Sequence, residues 1–167
     1  MADFHKAVYT GSFDPITLGH LNVIQRASTL VDRLIIGIGI NVEKPALFTP
    51  EERLAIVREV TREYPNVEVA TFSGLAVEFV RQCGARVMIR GVRPLTDIAA
   101  EFTMMMANRR LDPTIETVFL MADAEYAHVS SSLIKQMTPF APDEALARFV
   151  PAQIIPHLRA RIPKVVQ

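Results

Sequence analysis

The chain has 167 residues, half of them hydrophobic and 22% charged, which is enough apolar material for one globular domain, residues 1–167, with a sizeable core. Lysine plus arginine equals aspartate plus glutamate at 18 each, so no global field draws it to nucleic acid or an acidic membrane surface, and any phosphate site must be local. The single cysteine, Cys83, excludes an internal disulfide, no Cys/His spacing resembles a zinc site, and no run of about 18 apolar residues occurs.

The apolar run Ala7 to Tyr9 reads as a first strand. Gly11 and Ser12 then make a tight turn, and Leu21, Ile24, Ala27 and Val31 recur at helical spacing, predicting a helix over 19–31. Leu34 to Ile40 reads as a second strand. A helix over 50–63 follows, with Thr49 as cap, Pro50 in the first turn and Glu52 completing a capping box. Val67 to Thr71 is the third strand, 74–83 the third helix, Arg86 to Ile89 the fourth strand, 97–110 the fourth helix and Thr117 to Met121 the fifth strand. After the polar stretch Asp123 to Ser132, short helical pieces are broken by Pro139, Pro142, Pro151 and Pro156. The expected fold is α/β: a Rossmann-like doubly wound five-stranded parallel sheet with helices on both faces and a helical C-terminal segment.

In such a sheet ligands bind beyond the carboxyl ends of the strands, where strand order reverses. That rule selects the loops Thr10 to His20, Asn41 to Phe48, Ser73 to Ala76, Arg90 to Pro94 and Ala122 to Ser132. The first gathers Ser12, Thr17 and His20 where a helix begins near Gly19, and the free N–H groups and positive dipole end of that helix suit a nucleotide triphosphate. Lys44 lies just past the second strand, a mobile point charge for a phosphate. Arg90 and Arg93 flank Gly91 after the fourth strand. Their guanidinium forks match two phosphates, with glycine allowing close approach, and the alternative is ion pairing with Asp97 and Glu101. In Ser130-Ser131-Ser132 one serine suffices to cap the following helix, which leaves the other hydroxyls for phosphate oxygens. Tyr126 and His128 stand ready to pack against a base. There is no GxxxxGK[ST] loop, no GxGxxG fingerprint and no activated Ser-His-Asp set, so P-loop, dinucleotide and covalent readings lose support.

With Gly11-Ser12-Phe13-Asp14-Pro15-Ile16-Thr17-Leu18-Gly19-His20, Ile89-Arg90-Gly91-Val92-Arg93 and Val129-Ser130-Ser131-Ser132-Leu133-Ile134-Lys135 in this order, the chain resembles the bacterial phosphopantetheine adenylyltransferases. Thr17 stands where many relatives in the nucleotidyltransferase superfamily carry the first histidine of His-x-Gly-His. The resemblance implies transfer of an adenylyl group from ATP to 4′-phosphopantetheine, giving dephospho-coenzyme A and pyrophosphate, the penultimate step of coenzyme A synthesis.

By motif position, His20 would stabilise the transition state, assisted by Lys44 and Arg93. Ser12, Phe13, His20, Gly91, Val92, Arg93, Glu101 and the stretch Tyr126, Ala127, His128, Val129, Ser130, Ser131 and Ser132 would bind ATP, with Phe13 acting through its backbone. Ser12, Lys44, Ala76 (through its backbone) and Arg90 would bind the acceptor. No protein metal ligands are expected, and Mg²⁺ would arrive on ATP with water ligands. The resemblance further implies a homohexamer and coenzyme A as a feedback ligand; the balanced charge and the lack of a long apolar stretch predict a soluble cytoplasmic protein with no nucleic-acid or membrane partner. Thr10, Ser12 and Ala100 replace a frequent proline, threonine and tyrosine; Ser12 keeps the hydroxyl, whereas Ala100 removes an aromatic near the expected ligand. Two rivals remain open at this point: the same chemistry on another acceptor, such as nicotinamide mononucleotide or a cytidylyl acceptor, and a noncatalytic adenine-nucleotide sensor.

Overall fold

The computed structural model describes residues 5–41, 45–93 and 97–165. Five strands, β1 (Lys6–Gly11), β2 (Arg33–Ile40), β3 (Val67–Ser73), β4 (Val87–Val92) and β5 (Glu116–Met121), form one parallel sheet in the order β3-β2-β1-β4-β5. In register, Ala7 of β1 lies beside Leu34 of β2 on one side and Val87 of β4 on the other. The chain therefore winds outward to β3 and then crosses back to β4. The loops that leave β1 and β4 diverge to opposite faces, which opens a crevice at the carboxyl ends of these two strands.

Strand residues alternate between two cores, as the period of a strand requires. Ala7, Tyr9, Leu34, Ile36, Ile38, Val87 and Ile89 join one cluster with residues of α1 (Leu18–Ser28), α2 (Pro50–Val60) and the C-terminal segment. Val8, Ile35 and Met88 join the other with Val77, Phe79 and Val80 of α3 (Ala76–Gln82). Burial on both faces explains why the strands read as nearly continuous apolar runs.

Helix ends differ from expectation by a few residues, for local reasons. Thr17 caps α1, which starts one residue early and stops at Ser28 rather than 31, where the Thr29 hydroxyl and amide both turn back to the Arg26 carbonyl. α2 stops at Val60 rather than 63, because Thr61 leaves the helical region, with φ −103° and ψ 4°. α3 cannot begin at 74, because Gly74 has a φ of +86°, a left-handed value outside the helical region. Around Thr49 the expected capping box is formed, with Glu52 N–H donating to the threonine hydroxyl at 3.2 Å and Thr49 N–H to the glutamate at 2.9 Å.

The C-terminal quarter comprises α5 (Ser131–Met137), α6 (Asp143–Leu146) and α7 (Ile155–Arg161). Its Ile134, Leu146, Ile154 and Leu158 are fully buried in the first cluster. The segment also steadies the crevice, because Leu18 N–H at the start of α1 donates to the Phe149 carbonyl at 2.8 Å. α4 (Ile98–Leu111) behaves differently: only Asn108 is buried, and Ile98, Phe102, Met104, Met106 and Leu111 are each more than half exposed.

Candidate active site

A cavity of about 310 Å³ occupies the crevice between the ends of β1 and β4. One wall is the loop from β1 to α1. Phe13 has a φ of +47°, which reverses the chain after Ser12 and sends its ring inward, edge-on to Tyr9 at 5.3 Å and to His20 at 5.1 Å between ring centres. The Asp14 carboxylate accepts from Leu47 N–H (2.8 Å), Phe48 N–H (2.9 Å) and Lys135 Nζ (2.7 Å), binding this loop to the entry of α2 and to α5. Burial alone would raise the Asp14 pKa, but the Lys135 ammonium and the two amides hold it below the usual carboxylate range. On the other side of the loop Arg53, only 4% exposed, donates from Nη1 to the carbonyls of Ser12 (3.0 Å) and Gly39 (3.2 Å).

His20 sits at the third position of α1 and completes an unusual capping box. Its backbone N–H donates to the Thr17 hydroxyl at 3.3 Å, while its Nδ1 accepts from Thr17 N–H at 3.1 Å. A nitrogen that accepts keeps its lone pair, so the neutral ring carries its proton on Nε2, the edge left for the cavity. Burial, with the charges of Arg93 and Arg90, lowers the His20 pKa to about 4. Near pH 7 the group is thus a neutral N–H donor held in one tautomer.

The opposite wall comes from β4 and the first turns of α4. Arg90 grips Glu101 with Nε at 2.8 Å and Nη2 at 2.6 Å, and its Nη1 donates to the Thr10 carbonyl at 2.6 Å. Arg93 grips Asp97 in the same two-pronged way, at 2.7 and 2.8 Å. Burial opposes the charge on Arg90, yet Glu101 raises its pKa; the Asp97 hydrogen bonds raise that of Arg93. The glycine between them has a packing reason that the sequence reading missed. A Cβ on Gly91 would lie 2.8 Å from the Tyr9 hydroxyl and 3.2 Å from Val23.

The third wall is the start of α5. Ser130 caps the helix by accepting from Leu133 N–H at 3.1 Å, and the Ser131 hydroxyl donates to the Pro15 carbonyl at 2.8 Å. The Ser132 hydroxyl has no hydrogen-bond partner among the described residues.

Twelve of the site residues expected from the sequence meet around this cavity: Ser12, His20, Arg90, Gly91, Val92, Arg93, Glu101, Tyr126, Val129, Ser130, Ser131 and Ser132. Phe13 is not among the lining residues; its buried ring lies against Tyr9 and His20, which are. Ala76, in the first turn of α3, and Ala127 are not among the lining residues. His128 is exposed, its ring edge-on to Phe149 at 5.7 Å. Lys44 lies outside the described residues. The structure adds Tyr9, Val23, Asp97 and Ala122 to the lining, and Asp14, Arg53 and Lys135 behind it. Thr17-x-x-His20 could have been read as a capping box had histidine been admitted at the glutamate position; nothing in the sequence marks Arg53.

Comparison with known proteins agrees with this arrangement. Residues 8–137 match the cytidylyltransferase-like family model. A phosphopantetheine adenylyltransferase from Rhodopirellula baltica is 64% identical over 157 residues, 93% of this chain and 88% of that one. Its counterpart from Clostridium botulinum is 46% identical over 156 residues, 93% of this chain and 94% of that one. Among solved structures, the Plasmodium falciparum nicotinic acid mononucleotide adenylyltransferase complexed with NaAD superposes with a TM-score of 0.61, covering 93% of this chain and 94% of that one. At 11% identity, this match speaks for the fold alone.

Proposed function

The chain belongs to the phosphopantetheine adenylyltransferase family, and from that premise we propose that its crevice carries out adenylyl transfer from ATP to 4′-phosphopantetheine. A phosphate oxygen of the acceptor attacks the α-phosphorus of ATP in line, the bond to the bridging oxygen breaks, and pyrophosphate leaves with that electron pair. The attacking group is already an anion, so no side chain has to remove a proton. What remains is to hold two phosphate-bearing molecules in line and to meet the negative charge that builds on the transferring group.

The observation that carries this reading is the hydrogen bond from Thr17 N–H to His20 Nδ1, which sets the tautomer of the ring. A neutral imidazole fixed by Thr17 with its proton on Nε2 offers a donor to a phosphate oxygen without first having to be protonated. Arg93 and Lys44 add cationic charge, Arg90 takes the acceptor phosphate, and Ser12 lies where it can serve both substrates. Gly91, Val92, Glu101 and the stretch Tyr126 to Ser132 receive ATP; Ala76 offers its backbone to the acceptor.

Mg²⁺ enters on ATP in this proposal. Among the described residues no three acidic, histidine or cysteine side chains are grouped to hold a metal, so phosphate and water oxygens supply its ligands. Bound there, it neutralises phosphate charge. Coenzyme A, which shares the pantetheine arm with the acceptor, acts as a feedback ligand. No described helix is long and apolar enough to cross a membrane, and we place the enzyme in the cytoplasm. A homohexamer accounts for the apolar residues that α4 leaves in solvent, since so many on one helix mark a contact surface.

Pyrophosphate release from the purified protein with ATP and Mg²⁺ tests the reading, comparing 4′-phosphopantetheine, nicotinamide mononucleotide and no acceptor. Release is expected only with 4′-phosphopantetheine, with dephospho-coenzyme A identified by mass. Equal release with nicotinamide mononucleotide would replace the acceptor, and ATP binding without release would mean a sensor.

A further inference from the structure

Arg53 is a guanidinium with no visible reason to be buried. It is 4% exposed, forms no ion pair among the described residues, and gives Nη1 to two neutral carbonyls while its Nε has no hydrogen-bond partner there. An arginine kept from water in this way is costly, and an apolar side chain in its place would avoid that cost. Its position behind the β1 to α1 loop explains the retention of charge.

The Ser12 carbonyl that Arg53 holds belongs to the same peptide unit as the Phe13 N–H. That peptide is trans, the only cis bond among the described residues being Asp14-Pro15, and in a trans unit the carbonyl and the N–H point in opposite directions. With the oxygen held at 3.0 Å by Arg53, the Phe13 N–H points the opposite way, next in the chain to Ser12, which lines the cavity. This N–H has no hydrogen-bond partner among the described residues. The left-handed φ of Phe13, +47°, is the turn that makes the orientation possible, and the buried ring fixes it from the other end. A cation on the carbonyl oxygen also draws electron density along the amide, which makes its N–H a stronger donor.

We propose that Arg53 is a positioning residue of the adenylyl-transfer site: it orients and polarises the Ser12-Phe13 peptide so that the Phe13 N–H donates to a phosphate oxygen of bound ATP. Its second bond, to Gly39 at the end of β2, holds that carbonyl in place relative to the strand ends that frame the crevice. The inference rests on the reading that Phe13 offers its backbone to ATP. A structural bolt alone would need no charge, whereas a polarised anion donor does.

The test uses protein labelled with ¹⁵N at phenylalanine, titrated with an ATP analogue whose bridging oxygen between the α- and β-phosphorus is a methylene. In the native enzyme the Phe13 amide proton is expected to move downfield on binding. In Arg53→Met the shift disappears and the analogue binds at least tenfold more weakly, while KM for 4′-phosphopantetheine changes less than threefold. Arg53→Lys, which keeps a cation in the same space and carries the test should the methionine variant not fold, restores more than half of the shift or, without its planar fork, at least a measurable part of it. A native-size Phe13 response in Arg53→Met, or no response in Arg53→Lys, overturns the role of Arg53 and leaves the Phe13 contact standing, even if the melting temperature drops. No movement of the Phe13 amide in the native enzyme overturns the contact itself, and the inference with it.

Discussion

The two walls of the crevice are prepared in opposite ways. On the β1 side the loop and His20 are held by partners that a ligand has no need to displace: Thr17 fixes His20, Asp14 fixes the loop to Leu47, Phe48 and Lys135, and Arg53 fixes the Ser12 carbonyl. On the β4 side the two cations meant for phosphate are already occupied, Arg90 by Glu101 and Arg93 by Asp97. Geometry on the first wall is set before substrate arrives. On the second, charge is stored and must be exchanged, so an incoming phosphate competes with the enzyme's own carboxylates. Catalytic power should therefore be concentrated on the first wall and selectivity between ligands on the second.

Removing a donor from the prepared wall gives the largest effect. His20→Ala is expected to lower kcat by about two orders of magnitude or more with the fold intact, the scale for losing one preorganised donor to a developing charge. A near-normal kcat would erase the contrast between the walls. Arg90→Ala acts on the other wall and should appear in binding: KM for 4′-phosphopantetheine rises at least about tenfold, as for a lost charge-assisted fork, and KM for ATP much less. Equal rises for both substrates would take Arg90 away from the acceptor.

Acid sharpens the comparison through stability, because the prepared wall contains two groups whose pKa values are lowered by folding. The His20 pKa is about 4 in the folded protein against an ordinary 6.5, so between these values the unfolded chain binds a proton that the folded one refuses. Stability is therefore lost as pH falls from 6.5 towards 4, by on the order of 2 kcal/mol once contact with cavity solvent is allowed for. Asp14, also lowered, adds a second loss below its ordinary value of 3.8. His20→Gln should flatten the first part of a plot of melting temperature against pH and leave the second. An unchanged slope would mean that folding does not lower the His20 pKa and that the Thr17 contact does not select its neutral form.

Much of the second wall was legible in the sequence, and much of the first was not. Arg90, Gly91 and Arg93 stand at the end of an apolar strand, and the partners of the two arginines lie close in the chain, Asp97 4 positions from Arg93 and Glu101 11 positions from Arg90, so charge at a strand end and its local alternative could both be read. Apart from the local Thr17–His20 box, the first wall is held by contacts between residues far apart in sequence. Asp14 and Lys135 are separated by 121 positions, and Arg53 and Ser12 by 41. No periodicity connects them, and Arg53, inside an amphipathic helix, reads as one more surface charge. The sheet was legible for the opposite reason. Each parallel strand, buried on both faces, is a short apolar run bounded by turns, and the winding order follows from few alternatives. Helix ends were missed where a single threonine or a left-handed glycine decided them.

The smallest expected effect isolates the stored charge. Asp97 lines the cavity and grips Arg93 through a partly exposed pair, the kind that contributes about 1 kcal/mol or less. Asp97→Asn keeps the shape and removes the negative charge, so Arg93 is released to phosphate and a like charge no longer faces the nucleotide. ATP should then bind up to about fivefold more tightly, the ratio that 1 kcal/mol converts to, while kcat stays within about twofold because the prepared wall is untouched. Calorimetric titration with ATP in low salt reads the first quantity and steady-state kinetics the second. The gain should shrink as salt rises, since screening weakens the pair and the phosphate contact alike. Tighter binding with unchanged kcat would locate the exchange at Arg93. Weaker binding would mean that Asp97 holds Arg93 in its receptive position, and that both walls are prepared in the same way.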